Sequence, residues 1–76
     1  MEELIKILAG LHPDIDFENH ERLIEDKVLD SFDIVTLIAE IDSEFDVEVK
    51  AEDIVPENFN SAKAIYRMIE RLMDED

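Results

Sequence analysis

The chain of 76 residues has no cysteine and no tryptophan, a single glycine, two prolines, and seven lysines and arginines against 22 aspartates and glutamates. Without a thiol there is no disulfide framework, no thiolate nucleophile and no zinc-thiolate site in the chain itself. With one glycine there are no glycine-rich hairpins, which argues against a meander of strands. The shortage of bases leaves a formal charge of −15, which repels phosphate backbones and the anionic face of a membrane. Nucleic acid and membrane insertion are therefore not expected. Such a field instead steers the chain toward basic patches on other proteins, met transiently and in a salt-dependent way. The first residues, MEELIKILAGLHP, carry acids at positions 2 and 3 where a signal peptide is basic, and their apolar residues are spaced rather than continuous. A cytoplasmic location is the expectation.

What the chain does have is material for a core. Hydrophobic residues make up 46%, far from the composition of a disordered acidic tail. The length predicts one domain over residues 1–76, a monomer too small for a second core or a deep catalytic cleft.

Leu4, Leu8 and Leu11, with Ile5 and Ile7, recur at helical spacing until His12-Pro13, where proline disfavours continuation. From Asp14 to Asp30 the apolar residues Ile15, Phe17, Leu23, Ile24, Val28 and Leu29 are irregular, as in a long loop pinned to a core. Ile34, Leu37, Ile38, Ile41 and Phe45 then follow the helical template, with Asp30 and Asp33 forming a capping box at its start. Phe45, Val47 and Val49 alternate, but a lone strand has no partner here, so an extended connection is expected, with a single helical turn over Ala51 to Val55 before Pro56. Asn60 or Ser61 caps a last helix whose stripe is Ala62, Ile65, Ile69 and Leu72, with Tyr66, Met68 and Met73 at the core or its rim. The fold class is all-α: a small four-helix bundle of three main helices and one short one.

One hydroxyl stands out. In LDSFDIVTLIAEIDSEF, Ser31 follows the Asp30 cap, so it is the first helical residue and its oxygen is not needed for capping. Its flanks do not read G-x-S-x-G, and neither His12 nor His20 has an orienting context, so a hydrolase is not indicated. At 100° per residue Ser31 falls at the edge of the core face, with Asp33, Glu40 and Glu44 opposite. Phe32, Val35 and Ala39 form a smaller apolar strip beside it. Between Lys27 and Lys50 there are seven acids and no base, whereas Lys63, Arg67 and Arg71 recur along the last helix.

The segment LIEDKVLDSFDIVTLIAEIDSEFDVEV, residues 23 to 49, resembles the part of acyl carrier proteins in which an Asp-Ser-Leu motif opens the second helix. The order of the other helices matches as well, so the resemblance covers nearly the whole chain. It implies that Ser31 receives 4'-phosphopantetheine from coenzyme A, that a phosphopantetheinyl transferase supplies base and metal, and that the arm's thiol carries acyl intermediates as thioesters in fatty-acid, polyketide or related biosynthesis. It implies no catalysis by the chain itself and no bound metal. Acyl- or aminoacyl-loading and transfer enzymes with basic surfaces would dock on Asp30, Phe32, Asp33, Val35, Ala39 and Asp42. Phe32 stands where the family has leucine, and Thr36 and Ser43 where acids are frequent. Physics agrees with the resemblance: a phosphodiester on Ser31 sits at a helix amino terminus, where unpaired N–H groups favour negative charge.

Leu29-Asp30-Ser31, without a preceding glycine, is also similar to D-alanyl carrier proteins of cell-wall modification. From another class, Asp14, Asp16, Glu18 and Glu25 sit at offsets one, three, five and twelve of a calcium loop, although Asn19 replaces its turn glycine and Arg22 holds its ninth place. Charge alone also allows an acidic inhibitor that mimics nucleic acid.

Overall fold

Apolar side chains at helical spacing leave one side of each segment unsatisfied in water, and the chain resolves this by packing helix on helix. The computed structural model describes residues 1–74. Helix α1 spans Glu2–Leu11, α2 Ser31–Phe45, α3 Pro56–Phe59 and α4 Ala62–Asp74, with a 3-10 turn at Ala51–Asp53 and no strand among the described residues. α1 packs on α2, and α4 lies against α1, α2 and α3. The radius of gyration is 11.2 Å, close to the roughly 11 Å expected of a single core this size.

Each main helix contributes its predicted stripe. Leu4 and Leu8 come from α1, Leu37 and Ile41 from α2, and Ala62, Ile65, Met68, Ile69 and Leu72 from α4, all buried. Ile34, Ile38 and Phe45 are only partly covered and pack around that centre. α1 stops where the sequence says: His12 leaves helical geometry ahead of Pro13.

The long connection from His12 to Asp30 is pinned as expected, by the buried Phe17, Leu23 and Leu29. Its second anchor is polar. Asn60 accepts the Leu23 N–H on its carbonyl at 2.8 Å and the Ile24 N–H on Oδ1 at 3.1 Å. Asn60 is thus spent on the loop, and Ser61 takes the cap, its Oγ accepting the Ala64 N–H at 3.0 Å. Lys27 closes a turn in this loop with φ of 60°.

After α2 the chain leaves through Asp46 in the left-handed region, φ 54° and ψ 48°, the geometry that ends many helices. Residues 47 to 50 take no regular secondary structure and Lys50 is extended, as expected for a strand with no partner. The predicted turn over Ala51 to Val55 is shorter, Ala51–Asp53. Pro56, read as a stop, instead opens α3 at its first position, where a missing N–H costs nothing.

Candidate functional site at the start of the second helix

Asp30 has extended backbone (φ −96°, ψ −178°) and forms a reciprocal capping box. Its Oδ1 accepts the Asp33 N–H at 2.9 Å, and Asp33 Oδ2 accepts the Asp30 N–H at 3.3 Å. The Ile34 N–H closes the first turn on the Asp30 carbonyl. Two donors of that turn remain: the Ser31 and Phe32 N–H groups have no acceptor among the described residues. Ser31 itself is exposed, and its hydroxyl enters no hydrogen bond there. An exposed hydroxyl and two free amide donors therefore share the positive end of a four-turn helix, a place that favours negative charge.

The predicted docking residues separate into two kinds. Phe32 is 82% exposed and Val35 68% exposed, and together with Ser31 they line a shallow apolar depression. Ala39 is exposed further along α2. These three do not pack beneath the preceding loop. Asp30, Asp33 and Asp42 are engaged within the fold. Asp30 and Asp33 hold the capping box, and Asp42 Oδ1 accepts the Val49 N–H at 3.1 Å, tying the extended exit back to α2.

Asp33 corrects the projection that set it opposite the core with Glu40 and Glu44. Its side chain is 22% exposed and its Oδ2 lies 2.8 Å from His12 Nε2. The wheel places residues relative to α2's own core face, and cannot see that the end of α1 arrives beside the helix start. That hydrogen bond from His12 holds the Asp33 carboxyl below the ordinary carboxylate range, helped by the Asp30 N–H and opposed by partial burial. His12 is the neighbour of this helix start that the sequence reading missed. The available signal was a histidine just past a helix end, beside a proline that throws its side chain outward.

The calcium-loop residues are not gathered. Asp16 accepts from Asn19 at 2.8 Å, Glu25 pairs with Arg22 at 2.9 Å, and among the described residues no group of three or more His, Asp or Glu could hold a metal ion. No described helix is long and apolar enough to cross a membrane.

The described residues thus form an all-helical bundle that presents an unengaged serine hydroxyl at the head of its second helix. No family model matches the chain, and no solved structure matches it. Aminoacyl carrier protein 2 of Bradyrhizobium diazoefficiens is 40% identical over 63 residues, 83% of this chain and 63% of that protein. The chain belongs to the acyl and aminoacyl carrier protein family. It spans somewhat less than two thirds of the length of that curated relative.

Proposed function

We propose that Ser31 carries a 4'-phosphopantetheine arm and that the chain holds its cargo as a thioester on that arm, passing it between enzymes. The observation that carries this reading is the Ser31 hydroxyl, exposed and unengaged at the first position of α2 while Asp30 does the capping. In the transfer, the Ser31 Oγ–P bond forms and the P–O bond to the adenosine bisphosphate of coenzyme A breaks. The leaving group departs with the bonding electrons, and a base on the transferase takes the hydroxyl proton. The chain supplies the oxygen and the Ser31 and Phe32 N–H groups that receive the new phosphodiester. The arm, once attached, supplies the thiol that this cysteine-free chain lacks.

For the cargo, an aminoacyl group is favoured over a fatty-acyl or polyketide intermediate. What supports it is the name of the relative, together with Thr36 and Ser43 at positions where fatty-acid carriers often have acids. Partners are the phosphopantetheinyl transferase and loading or transfer enzymes with basic rims, working in the cytoplasm. They would cover Phe32, Val35 and Ala39 and meet the exposed Glu40 and Glu44. Incubation with coenzyme A and a broad-specificity transferase should add one phosphopantetheine to the wild type and none to Ser31→Ala, read by intact mass. A folded wild type that takes no arm, or a Ser31→Ala chain that does, would overturn the assignment.

A further inference from the structure

Two carboxylates flank Ser31 within one turn of helix, and the residue that caps another helix is bonded to one of them. His12 leaves α1 with φ −141° and ψ 85°, its own N–H closing that helix on the Leu8 carbonyl. The backbone ahead of Pro13 is kept out of the helical region, so the side chain points away from α1 and meets α2 across 21 residues of sequence. Ionised Asp33 offers only lone pairs, so the imidazole donates through Nε2 whether it is neutral or charged. The accepting oxygen, Asp33 Oδ2, is the one that also takes the Asp30 N–H, while Asp33 returns its own N–H to Asp30 Oδ1. Asp30, Asp33 and His12 thus form one connected set of hydrogen bonds around the backbone on either side of Ser31. The His12 and Asp33 side chains are 35% and 22% exposed, at a partly dry seam between helices rather than on a free surface.

We infer that His12 is a positioning residue for the modification of Ser31, which it serves by holding Asp33 in the capping box that fixes the serine's backbone. The inference rests on the carrier reading of Ser31. Held this way, the Asp33 carboxylate is not free to accept the serine hydroxyl or to crowd an incoming phosphate. Released, it becomes an anion without that partner two residues from the reacting oxygen, and the box loses the bond that anchors it from outside α2. Like charge beside a forming phosphodiester opposes it. A device that only clamps α1 to α2 would affect melting alone, whereas this one affects the rate at Ser31 in protein that is fully folded.

The test compares apo wild type, His12→Ala and His12→Gln well below their melting temperatures. Glutamine places an amide N–H near the position of Nε2 and cannot titrate. In His12→Ala, hydrogen exchange at the Asp33 amide should rise roughly tenfold, as for loss of a hydrogen bond to a charged group, and by more than at Ile69 in α4, whose buried amide reports any loss of global stability. Transfer to Ser31 should slow by a similar factor, mainly in kcat, since the exposed apolar strip is unchanged. His12→Gln should restore both. In an Asp33→Asn background, His12→Ala should add little, because the two act in series. Unchanged exchange and transfer in His12→Ala, a His12→Gln chain as slow as His12→Ala, or additive losses with Asp33→Asn would each overturn the positioning role. A wild type that takes no arm overturns the carrier reading and this inference with it. A modified wild type matched by His12→Ala overturns the inference alone.

Discussion

Replacing Phe32 by alanine should leave the fold intact and weaken what enzymes make of it. The ring is 82% exposed, so folding gains little from it. A surface change of this kind stays within about 0.5 kcal/mol, which corresponds to at most a few degrees in melting temperature for a domain of this size. A partner that covers the ring recovers what folding left. Full burial of a phenylalanine is worth about 1.5–3 kcal/mol, and four fifths of that is about 1.2–2.5 kcal/mol, or roughly 8- to 70-fold in kcat/KM. Val35, smaller and 68% exposed, should lose less, about 1 kcal/mol on truncation to alanine. Initial rates of phosphopantetheine transfer, measured over carrier concentration alongside thermal melts, read both quantities. Transfer within twofold of wild type would show that the transferase does not touch the ring. A melting temperature lowered by more than about 4 °C would show that Phe32 packs against the chain in solution, and the premise of free surface would fail.

Charge at the same face is better tested away from Asp33 and Asp42, since both carboxylates accept hydrogen bonds inside the fold. Lysine there would break structure and docking together. Glu40 and Glu44 are exposed on α2 and take part in no ion pair among the described residues. Glu40→Lys with Glu44→Lys should slow association at low salt, with the defect fading as the Debye length falls to about 3 Å at 1 M. A defect that persists unchanged at high salt would assign these residues to direct contact instead of steering.

Further expectations concern stability. Asp33 ionises more readily in the folded chain than in the unfolded one, so its contribution is complete above the unfolded value near about 4 and is lost as pH falls through the lower folded value. His12→Ala removes the largest cause of that shift, and its melting temperature should trail wild type above about pH 5 and converge with it in stronger acid, as followed by circular dichroism. Asp46→Gly relieves a left-handed residue at the end of α2 and should stabilise by about 0.5 kcal/mol or more; a lower denaturant midpoint would contradict the assigned backbone. With a formal charge of −15, added magnesium and calcium should raise the melting temperature equally by screening self-repulsion, whereas a calcium-specific gain abolished by Asp14→Ala would restore the calcium-loop reading.

The bundle was legible where periodicity and caps agree. Leu4, Leu8, Leu37, Ile41, Ile65 and Ile69 lie on single faces because 3.6 residues per turn leave no other arrangement, and Asp30 with Asp33 announces where α2 begins. The free hydroxyl at Ser31 followed from the cap alone. What could not be read was anything requiring two elements to meet. That Asn60 would hold Leu23 and Ile24 and surrender the cap to Ser61 depends on the loop's path. That Asp33 would turn to His12 depends on where α1 ends in space, information a wheel drawn on one helix does not contain. Pro56 was ambiguous for a local reason, since proline both stops a preceding segment and starts a following one.

The interior bears on what the proposed arm can carry. Leu37, Ile41, Ile65 and Ile69 are fully buried and Met68 nearly so, so α2 and α4 present apolar side chains that are closed to solvent. A long alkyl cargo that sheltered there would have to part these side chains, and would do so only for the gain of leaving water, about 0.8 kcal/mol per methylene. An aminoacyl cargo brings an ammonium that has no partner in such a core, and it would remain outside among the acidic side chains. The two cases differ in how stability depends on cargo. Acetyl, octanoyl and aminoacyl arms can be placed on Ser31 and the products melted in parallel. Six added methylenes drawn inside would supply at most about 5 kcal/mol, raising the melting temperature by well over 10 °C. Under the aminoacyl reading the series should be flat within a few degrees, because the packed core admits none of the three. A melting temperature that climbs with chain length would show that α2 and α4 open for alkyl groups, and would move the proposed cargo from amino acids to fatty acyl chains.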